Sequence, residues 1–486
     1  MPAFGGCQLE VVNQVNGTNG GHRSPSPASS AGSSTGRPLG SASSAAGSST
    51  GAPTSSGAVA TGTGGTTGTM RGPGTTGTGG SGCTIDGQSY PALSVNALDP
   101  AQCCNPALSA TDWMPLFVET MTTPVASDTL EGPNDQLVAD LNGDGIADIL
   151  VTTYTGVGMG VFGATQVWVY LSQDGGYAAP ATYFSPLAGE SGPGWITLGD
   201  LNRDGIPDLV ISSAASLAVR LGTGGGQFGD EQSIAIPCAG GTVRVIDVDG
   251  DDWLDVALGT SCGLYLFKND KRGDGLLTSS TLLVDAATQT GLAVGDFNQD
   301  GHPDLAYLNS AGAITWLENV AGSFTQPADQ PMFQTPYWAM VPVPTAFGAA
   351  LFVTGASNGP DLTLPSPDGP QFAKGFSPSF SSGAVAVGDV NGDGLPDLLV
   401  GGIDYNDPSI GVVLSVASSA ANPLQVGAVT GTQDALGRQQ IHALATGDLN
   451  GDGTADLVVF RESGPWETWI NTCGSGAART LDPGTP

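Results

Sequence analysis

The chain has 486 residues, enough for one large domain or two to three ordinary ones, and its hydrophobic content of 40% can supply a core. Lysine and arginine total 13 against 45 aspartates and glutamates, for a formal net charge of −32. This balance excludes nucleic acid as a partner, because binding phosphates needs a basic footprint. No apolar run of about 18 residues is present, so no transmembrane segment is expected.

The N-terminal segment has no recognisable signal peptide, since "MPAFGGCQLEVV" lacks a positively charged start and an apolar core. Its "FGGC" resembles the end of a bacterial lipoprotein signal, so Cys7 is either a lipid-anchored residue or an ordinary cysteine. Residues 17–82 are almost entirely Gly, Ser, Thr, Ala and Pro, which cannot bury enough surface to offset the entropy of ordering. We predict that residues 1–82 are a disordered segment and tether.

A polar, loop-rich module with three cysteines follows at residues 83–113, and a strand-like segment, Met114–Thr120, comes next. An acidic motif then repeats, beginning with "DLNGDGIADILVT" at Asp140. Its first aspartates are spaced by 60, 47, 49, 93 and 59 residues. The spacing of 93 is about twice the shorter period, and "VPTAFGAALFVTG", Val343–Gly355, fits the missing copy without its carboxylates. The chain therefore has seven repeats, six of them with an acidic loop.

The repeat period matches one four-stranded blade of a β-propeller. In each repeat a short apolar strand precedes the loop, a second apolar strand follows it, and two weaker strands come after. The last repeat ends without its fourth strand, and residues 474–486 form a polar tail predicted to be disordered. We predict an all-β fold, a seven-bladed propeller over residues 114–473. Met114–Thr120 should complete the last blade and remove the open edge of its sheet.

The acidic repeat, which we call the Asp loop, reads D-x-[DN]-x-D-G-x-x-D. Side-chain oxygens at positions 1, 3, 5 and 9, and the carbonyl at position 7, suit Ca²⁺ better than Mg²⁺ or Zn²⁺. Glycine at position 6 permits a sharp turn, and Asp252 replaces it in the third loop. The candidate ligands are Asp140, Asn142, Asp144, Ile146 and Asp148; Asp200, Asn202, Asp204, Ile206 and Asp208; Asp247, Asp249, Asp251, Trp253 and Asp255; Asp296, Asn298, Asp300, His302 and Asp304; Asp389, Asn391, Asp393, Leu395 and Asp397; and Asp448, Asn450, Asp452, Thr454 and Asp456.

Position 12 of the motif distinguishes these loops from helical calcium hands, which carry an acidic residue there. Here position 12 is apolar in all six copies, as at Val151 and Val459, and lies within a strand. The Asp loops resemble those of the FG-GAP/VCBS repeat family, which includes the blades of integrin α-subunits. The resemblance covers about residues 114–473. It implies a seven-bladed propeller with up to six Ca²⁺, one between the first and second strands of each blade except the fifth.

The segment "CTIDGQSYPALSVNALDPAQCCNPALSATDW" is also similar to a short Cys-rich module that precedes such propellers in bacterial surface proteins, although its cysteine pair is adjacent rather than spaced. Cys238 and Cys262 are expected on the propeller face opposite the Asp loops, where they can form a disulfide. One of Cys103 and Cys104 should pair with Cys473 and the other with Cys83, which leaves Cys7. Such pairing favours an oxidising, extracytoplasmic setting.

Catalytic signatures are weak. The G-x-S-x-G matches at Gly259–Gly263 and Gly355–Gly359 have no helix after them, so they are chance matches in a Gly- and Ser-rich chain. The aromatic residues Trp195, Trp316, Tyr337 and Trp338 form either a binding face or core between blades.

We therefore expect a secreted or cell-surface, non-enzymatic, calcium-binding monomer that recognises an extracellular protein or glycan. The alternative is a carbohydrate-active propeller, a lectin or a polysaccharide lyase. A lyase would need a basic residue, and the chain has only three lysines: Lys268, Lys271 and Lys374.

Overall fold

The computed structural model describes residues 9–11, 82–96, 99–123, 135–156, 162–173, 176–184, 194–286, 291–309, 312–327, 337–345, 348–355, 361–372, 382–402, 410–413, 430–432, 441–461 and 466–473. These residues form strands, turns and loops, and none of them belongs to a helix that could cross a membrane. The predicted tether, except residues 9–11 and 82, and the predicted tail lie outside this set, as does Cys7.

Seven short strands precede the blades. They are β1 (Leu9–Val11), β2 (Cys83–Ile85), β3 (Gln88–Tyr90), β4 (Val95–Asn96), β5 (Asp99–Cys103), β6 (Met114–Pro115) and β7 (Phe117–Thr123). Strands β2 and β3 form a hairpin, and β4, β5 and β6 form a small sheet. Their common core contains Ile85 and the disulfide between Cys83 and Cys104, beside Tyr90 and Trp113, whose ring centroids are 4.6 Å apart.

Seven antiparallel sheets make the blades of a propeller. Blade 1 has β8 (Asp135–Ala139), β9 (Asp148–Gly156), β10 (Phe162–Tyr170) and β13 (Ala181–Phe184), with a small hairpin, β11 (Ser172–Gln173) and β12 (Gly176–Tyr177), before β13. Blade 2 has β14 (Trp195–Gly199), β15 (Asp208–Ser212), β16 (Ser216–Gly224) and β17 (Gln227–Ala235). Blade 3 has β18 (Gly240–Ile246), β19 (Asp255–Thr260), β20 (Leu264–Asn269) and β21 (Leu277–Val284). Blade 4 has β22 (Leu292–Gly295), β23 (Asp304–Leu308), β24 (Ile314–Val320) and β25 (Ser323–Thr325).

The remaining blades follow the same order. Blade 5 has β26 (Tyr337–Thr345), β27 (Gly348–Gly355), β28 (Asp361–Leu364) and β29 (Gln371–Phe372). Blade 6 has β30 (Ser382–Gly388), β31 (Asp397–Gly402), β32 (Ile410–Val413) and β33 (Thr430–Thr432). Blade 7 has β34 (Ile441–Gly447), β35 (Asp456–Arg461) and β36 (Trp466–Asn471), and its fourth strand is β7. The carboxylate-free fifth repeat thus forms a complete blade, as the spacing predicts.

The core lies between neighbouring blades, which explains the nearly continuous apolar strands. Strands β15, β19 and β35 are buried along their whole length, because each sheet packs on a neighbour on both faces. Leu150 of blade 1 and Leu209 of blade 2, for example, belong to one cluster. Trp316 is buried in the core shared by blades 4 and 5, and Trp195 packs half-buried between blades 2 and 3. These two aromatic residues are therefore core, whereas the side chains of Tyr337 and Trp338 are outside the described set.

Strand β7 closes the ring, as predicted, by pairing antiparallel with β36 from Asn471↔Phe117 to Trp466↔Thr123. It begins later than the predicted Met114, because Met114 and Pro115 belong to β6 and pair with β5 instead. Proline has no amide hydrogen for a sheet ladder, which separates the two strands.

The described disulfides follow the predicted pairing and decide the open choice. Cys83 pairs with Cys104, and Cys103 pairs with Cys473 across 370 residues of chain. The third disulfide joins Cys238, just before β18, to Cys262, just after β19. These are the ends of β18 and β19 away from the Asp loop, as expected.

Strand β1 departs from the sequence analysis, which predicts disorder for residues 1–82. Leu9, Glu10 and Val11 pair in parallel with Gln136, Leu137 and Val138 of β8. Strand β8 is the first strand of blade 1, so the backbone groups on one of its edges are free to pair with a further strand. The short apolar segment at Leu9 and Val11 provides that strand.

Candidate metal sites in the blade loops

Every Asp loop joins the first strand of its blade to the second, so all six occur at corresponding turns around the ring. We number the loops by blade: loop 1 (140–148), loop 2 (200–208), loop 3 (247–255), loop 4 (296–304), loop 6 (389–397) and loop 7 (448–456). Direct hydrogen bonds link some neighbouring loops. The backbone amide of Ala147 in loop 1 donates to the carbonyl of Asp448 in loop 7 at 2.7 Å. In the same way, the backbone amide of Ala455 in loop 7 donates to the carbonyl of Asp389 in loop 6 at 2.9 Å.

Blade 5 retains this link although it has lost its carboxylates. The amide of Ala349 donates to the carbonyl of Asp296 in loop 4 at 2.7 Å. The backbone geometry of the turn is therefore kept where its ligand chemistry is absent, and blade 5 offers no site over the described part of Val343–Leu351.

Each Asp loop needs two residues with left-handed backbone, at positions 4 and 6. In loop 1 these are Gly143 and Gly145, with φ of 80° and 84°. Position 4 is Arg203 in loop 2 and Gln299 in loop 4, at φ of 63° and 67°, and these side chains carry the steric cost that glycine avoids. Only position 6 was predicted from the sequence. A glycine also recurs at position 4 in four of the loops, and this was the signal for the second left-handed residue: Gly143, Gly250, Gly392 and Gly451.

The carboxylate at position 1 is held by the loop's own backbone. Oδ1 of Asp140 accepts the amide of Asp144 at 3.2 Å, and Oδ2 accepts the amide of Gly145 at 2.9 Å. The same two bonds recur in the other five loops, at Asp200, Asp247, Asp296, Asp389 and Asp448. Burial raises the pKa of Asp448, while the amides of Gly453 and Gly451 oppose that shift.

The side chains at positions 1 and 3 accept hydrogen bonds from the same backbone amide, that of position 5. In loop 1 the amide of Asp144 donates to Oδ1 of Asn142 at 2.8 Å as well as to Asp140, so these two oxygens converge on one N–H. The Asn142 amide group also donates to Oδ2 of Asp144 at 3.2 Å. Loops 2, 4, 6 and 7 repeat this last bond at 2.9–3.1 Å, through Asn202, Asn298, Asn391 and Asn450.

The carboxylate at position 9 is buried and anchors the loop to its blade. In loop 1, Oδ2 of Asp148 accepts the amide of Leu141 at 2.9 Å, and Oδ1 accepts the amide of Ser172, just beyond the third strand, at 2.7 Å. Burial raises the pKa of Asp208 to about 6 and that of Asp304 to about 7, and the other carboxylates of each loop add to the shift. Each carboxylate oxygen has a second lone pair, so these residues can both anchor the loop and contact a cation.

Asparagines at the end of the third strand link loops of adjacent blades, and the sequence analysis missed them. Nδ2 of Asn319 donates to the carbonyl of Val248 in loop 3 at 2.9 Å and to that of Pro303 in its own loop at 3.0 Å. Asn269 and Asn471 make the corresponding pairs of bonds in blades 3 and 7. The sequence feature that could have identified them is the asparagine that ends the third strand in three blades, in "LYLFKN", "WLEN" and "WETWIN".

Loop 3 differs from the other five. The carboxylate oxygens of Asp247, Asp249 and Asp251 lie within 4.8 Å of one another, the only such acidic triad among the described residues. Lys268 and Lys271 form ion pairs with this group. The hydrogen bond from Lys271 lowers the pKa of Asp251.

A cleft of about 670 Å³ lies between loops 2 and 3. Arg203 crosses it, 3.4 Å from Asp252 and 5.3 Å above the ring of Trp253. The remaining lining residues are Asp200, Asp204, Gly205, Asp247 and Leu254. The cleft is predominantly acidic, with a single cation among its lining residues.

The donor set in loops 1, 2, 4, 6 and 7 fits a hard divalent cation. Each loop offers carboxylates at positions 1 and 5 and a carboxamide oxygen at position 3, already directed by backbone amides. Oxygen ligands of this kind on a turn suit Ca²⁺.

Comparisons with known proteins agree with this architecture. The FG-GAP-like repeat family matches residues 140–211, 200–258 and 247–307, and the FG-GAP repeat family matches residues 382–406 and 442–479. Among curated proteins, none matches the chain.

Solved structures of low sequence identity are similar to this chain. BBS1N in complex with ARL6DN, soaked with mercury, is 11% identical with a TM-score of 0.50, over 73% of this chain and 97% of that chain. The same complex from a crystal soaked with lead is 12% identical with a TM-score of 0.49, again over 73% of this chain and 97% of that chain. An Agrocybe aegerita lectin that recognises non-reducing terminal N-acetylglucosamine is 17% identical with a TM-score of 0.44, over 63% of this chain and 82% of that chain. At these identities the likeness concerns the fold alone.

Proposed function

This chain is an FG-GAP repeat β-propeller, and from that premise we propose that it is a calcium-stabilised, non-enzymatic recognition module that acts outside the cell. The observation that carries the proposal is the repeated loop geometry. In five blades the backbone amide at position 5 donates both to the position 1 carboxylate and to the position 3 carboxamide oxygen. The carboxamide nitrogen at position 3 in turn donates to the position 5 carboxylate, so the three side chains are held together.

Calcium fits these loops by charge as well as by donor type. Three carboxylates in each loop repel one another, and this repulsion contributes to the raised pKa of Asp208 and Asp304. When bound, the ion supplies positive charge at the turn between the first two strands. We propose that its role is structural: it relieves carboxylate repulsion and rigidifies the edge at which neighbouring blades contact each other.

An extracellular or cell-surface setting is supported by the disulfides. The described residues include three disulfides, Cys83–Cys104, Cys103–Cys473 and Cys238–Cys262, and disulfides form and persist in oxidising compartments. An extracellular protein or glycan is the proposed partner, in keeping with the recognition role common to FG-GAP propellers.

The lyase alternative is not favoured, because a catalytic base must release its proton near neutral pH. Lys268 lies 3.0 Å from the buried Asp255 and 3.1 Å from Asp249, and hydrogen bonding to Asp251 raises the pKa of Lys271. Lys271 is therefore held in the charged form, and the ammonium group of Lys268 is engaged by two carboxylates. Lys374 lies outside the described residues.

The proposal is tested on the full chain by calorimetric titration with Ca²⁺, followed by a glycan array and an acidic-polysaccharide lyase assay in the same buffer. We expect saturable calcium binding and no unsaturated product. Absence of calcium binding would overturn the metal proposal, and calcium-dependent release of unsaturated sugars would replace the recognition module with an enzyme.

A further inference from the structure

We infer that loop 3 holds the ammonium groups of Lys268 and Lys271 where the other loops hold calcium, so that this propeller has five calcium sites and one internally neutralised turn. The inference deepens the proposed function and rests on it for the other loops. It reduces the expected number of calcium ions from up to six to five.

The two ammonium groups lie among the carboxylates that would be calcium ligands. Nζ of Lys268 is 3.1 Å from Oδ2 of Asp249 and 3.0 Å from Oδ2 of Asp255. Nζ of Lys271 is 3.4 Å from the same Asp249 oxygen and also pairs with Asp251. Positions 3, 5 and 9 of the motif are therefore all engaged by lysine.

Loop 3 has both an extra negative charge relative to the other loops and two nearby lysines, and these charges offset one another. Position 3 is asparagine in the five other loops but the carboxylate Asp249 here, which adds one negative charge. Two of the three lysines of the whole chain reach this one loop. The extra carboxylate is the one that contacts both lysines, so the additional negative charge and the ammonium groups form one unit.

The backbone fixes both lysines in place. Lys268 precedes Asn269, whose side chain donates to the carbonyls of Leu201 and Leu254 and so fastens the end of β20. Lys271 has a left-handed backbone with φ of 62°, and its amide donates to Oδ1 of Asn269 at 2.9 Å. A tight turn thus returns the second ammonium group toward loop 3.

Blade 4 provides an internal contrast at the same register. The residue before Asn319 is Glu318, and its Oε1 accepts a hydrogen bond of 3.4 Å from the side-chain nitrogen Nδ2 of Asn298 in loop 4. At this position blade 4 offers another oxygen ligand, whereas blade 3 offers a cation. The position therefore distinguishes a loop suited to a metal from one that already contains positive charge.

The loop itself offers a probe for the test, because its position 7 is Trp253, while the other loops have no aromatic residue there. Tb³⁺ substitutes for Ca²⁺ and luminesces when a nearby indole is excited. The experiment compares the full chain, Lys268→Met/Lys271→Met, and each of these with Trp253→Phe added. Lys374→Met is the matched control, since it removes a lysine from elsewhere in the chain.

We expect Trp253→Phe to reduce terbium luminescence more in the double lysine variant than in the native chain, where Trp253 can sensitise only an ion in the neighbouring loop 2, whose Arg203 lies 5.3 Å above its ring. Bound calcium, measured by equilibrium dialysis, should rise by one ion per chain in the double variant and stay constant in Lys374→Met. An equal loss of luminescence on Trp253→Phe in the native chain and in the double variant, or no added ion in the folded double variant, would overturn the inference.

A second measurement needs only single conservative changes, in case the double variant does not fold. Asp251→Asn should leave the calcium content of the chain unchanged, whereas Asp300→Asn, at the same position of loop 4, should lower it by one ion. Loss of an ion from Asp251→Asn contradicts the inference. If the native chain binds no calcium at all, the proposed function fails, while a new site in the double variant would still support the assignment of loop 3.

Discussion

The side chain of Asn319 in blade 4 donates a hydrogen bond of 2.9 Å to the backbone carbonyl of Val248 in blade 3. Its amide hydrogen also bonds, at 2.8 Å, to Oδ1 of the buried Asp304. One residue thereby connects the third strand of its blade, its own Asp loop and the loop of the preceding blade. The ring is consequently held by polar contacts at its loop edge as well as by the apolar surfaces between blades.

Asn319→Ala is expected to destabilise the propeller by about 1–3 kcal/mol, because two buried carbonyls lose their donor. Chemical denaturation of the full chain measures the change. Ser172→Ala is the matched control, since Ser172 has the same register in blade 1 and anchors Asp148 through its backbone amide, which the substitution retains. Equal effects of the two substitutions would contradict the link between blades.

Calcium is expected to raise the melting temperature of the native chain relative to the chelated chain. A single site filled at about 100 times its dissociation constant contributes about 2.7 kcal/mol. Differential scanning calorimetry with excess Ca²⁺ and with chelator measures the increment. Identical melts in the two conditions would remove the structural role of the loops.

Positions 5 and 9 of one loop should respond differently to the same chemical change. Asp300→Asn in loop 4 should reduce the calcium-dependent increment with little effect on the chelated protein, because Asp300 is exposed. Asp304→Asn should destabilise the protein in both conditions, because the new amide group faces the backbone amide of Phe297 or of Asn319. Melting curves of the two variants with and without Ca²⁺ decide this, and the reverse pattern would show that Asp304 is primarily a ligand.

Without calcium, stability should fall as the pH rises from about 4 to about 7. The pKa values of Asp208 and Asp304 are raised by burial to about 6 and about 7, from 3.8. The folded state therefore binds more protons than the unfolded state in this window, and its stability decreases as those protons are released. Melting temperatures in metal-depleted buffer measure the trend, which Asp304→Asn should weaken. If the melting temperature of the calcium-free protein increased with pH over the same interval, the predicted direction of the pH dependence would be wrong.

Removing the disulfide that closes the ring should cost more than removing the one within blade 3. Cys103 and Cys473 are separated by 370 residues, and Cys238 and Cys262 by 24. Loop entropy predicts a difference of roughly 2 kcal/mol between Cys103→Ser/Cys473→Ser and Cys238→Ser/Cys262→Ser. Denaturant titrations of the two variants compare the losses. A larger loss from the blade 3 pair would show that the order is set by folded-state contacts and not by chain entropy.

The repeat phase and the strand pattern were readable from the sequence because they are local. The motif that begins at Asp140 contains both its turn and the apolar strand after it, so the number of blades, the closing strand near Phe117 and the carboxylate-free repeat at Val343 followed from spacing. The pair Cys238–Cys262 also followed, once the ends of each strand were assigned to a face, whereas only the structure decided that Cys103 rather than Cys104 pairs with Cys473.

Contacts that cross between strands and blades were decided only by the tertiary structure. Val248 and Asn319 are 71 residues apart, and nothing in either segment encodes their meeting until blades 3 and 4 pack together. Lys271 and Asp251 are separated by two strands, β19 and β20, and the turn between them, so loop 3 looked like a calcium site in sequence and carries its own cations in the fold. Local periodicity determines which strands and turns form. The charge that finally surrounds each loop depends on side chains brought there from other strands, and only the packed ring specifies them.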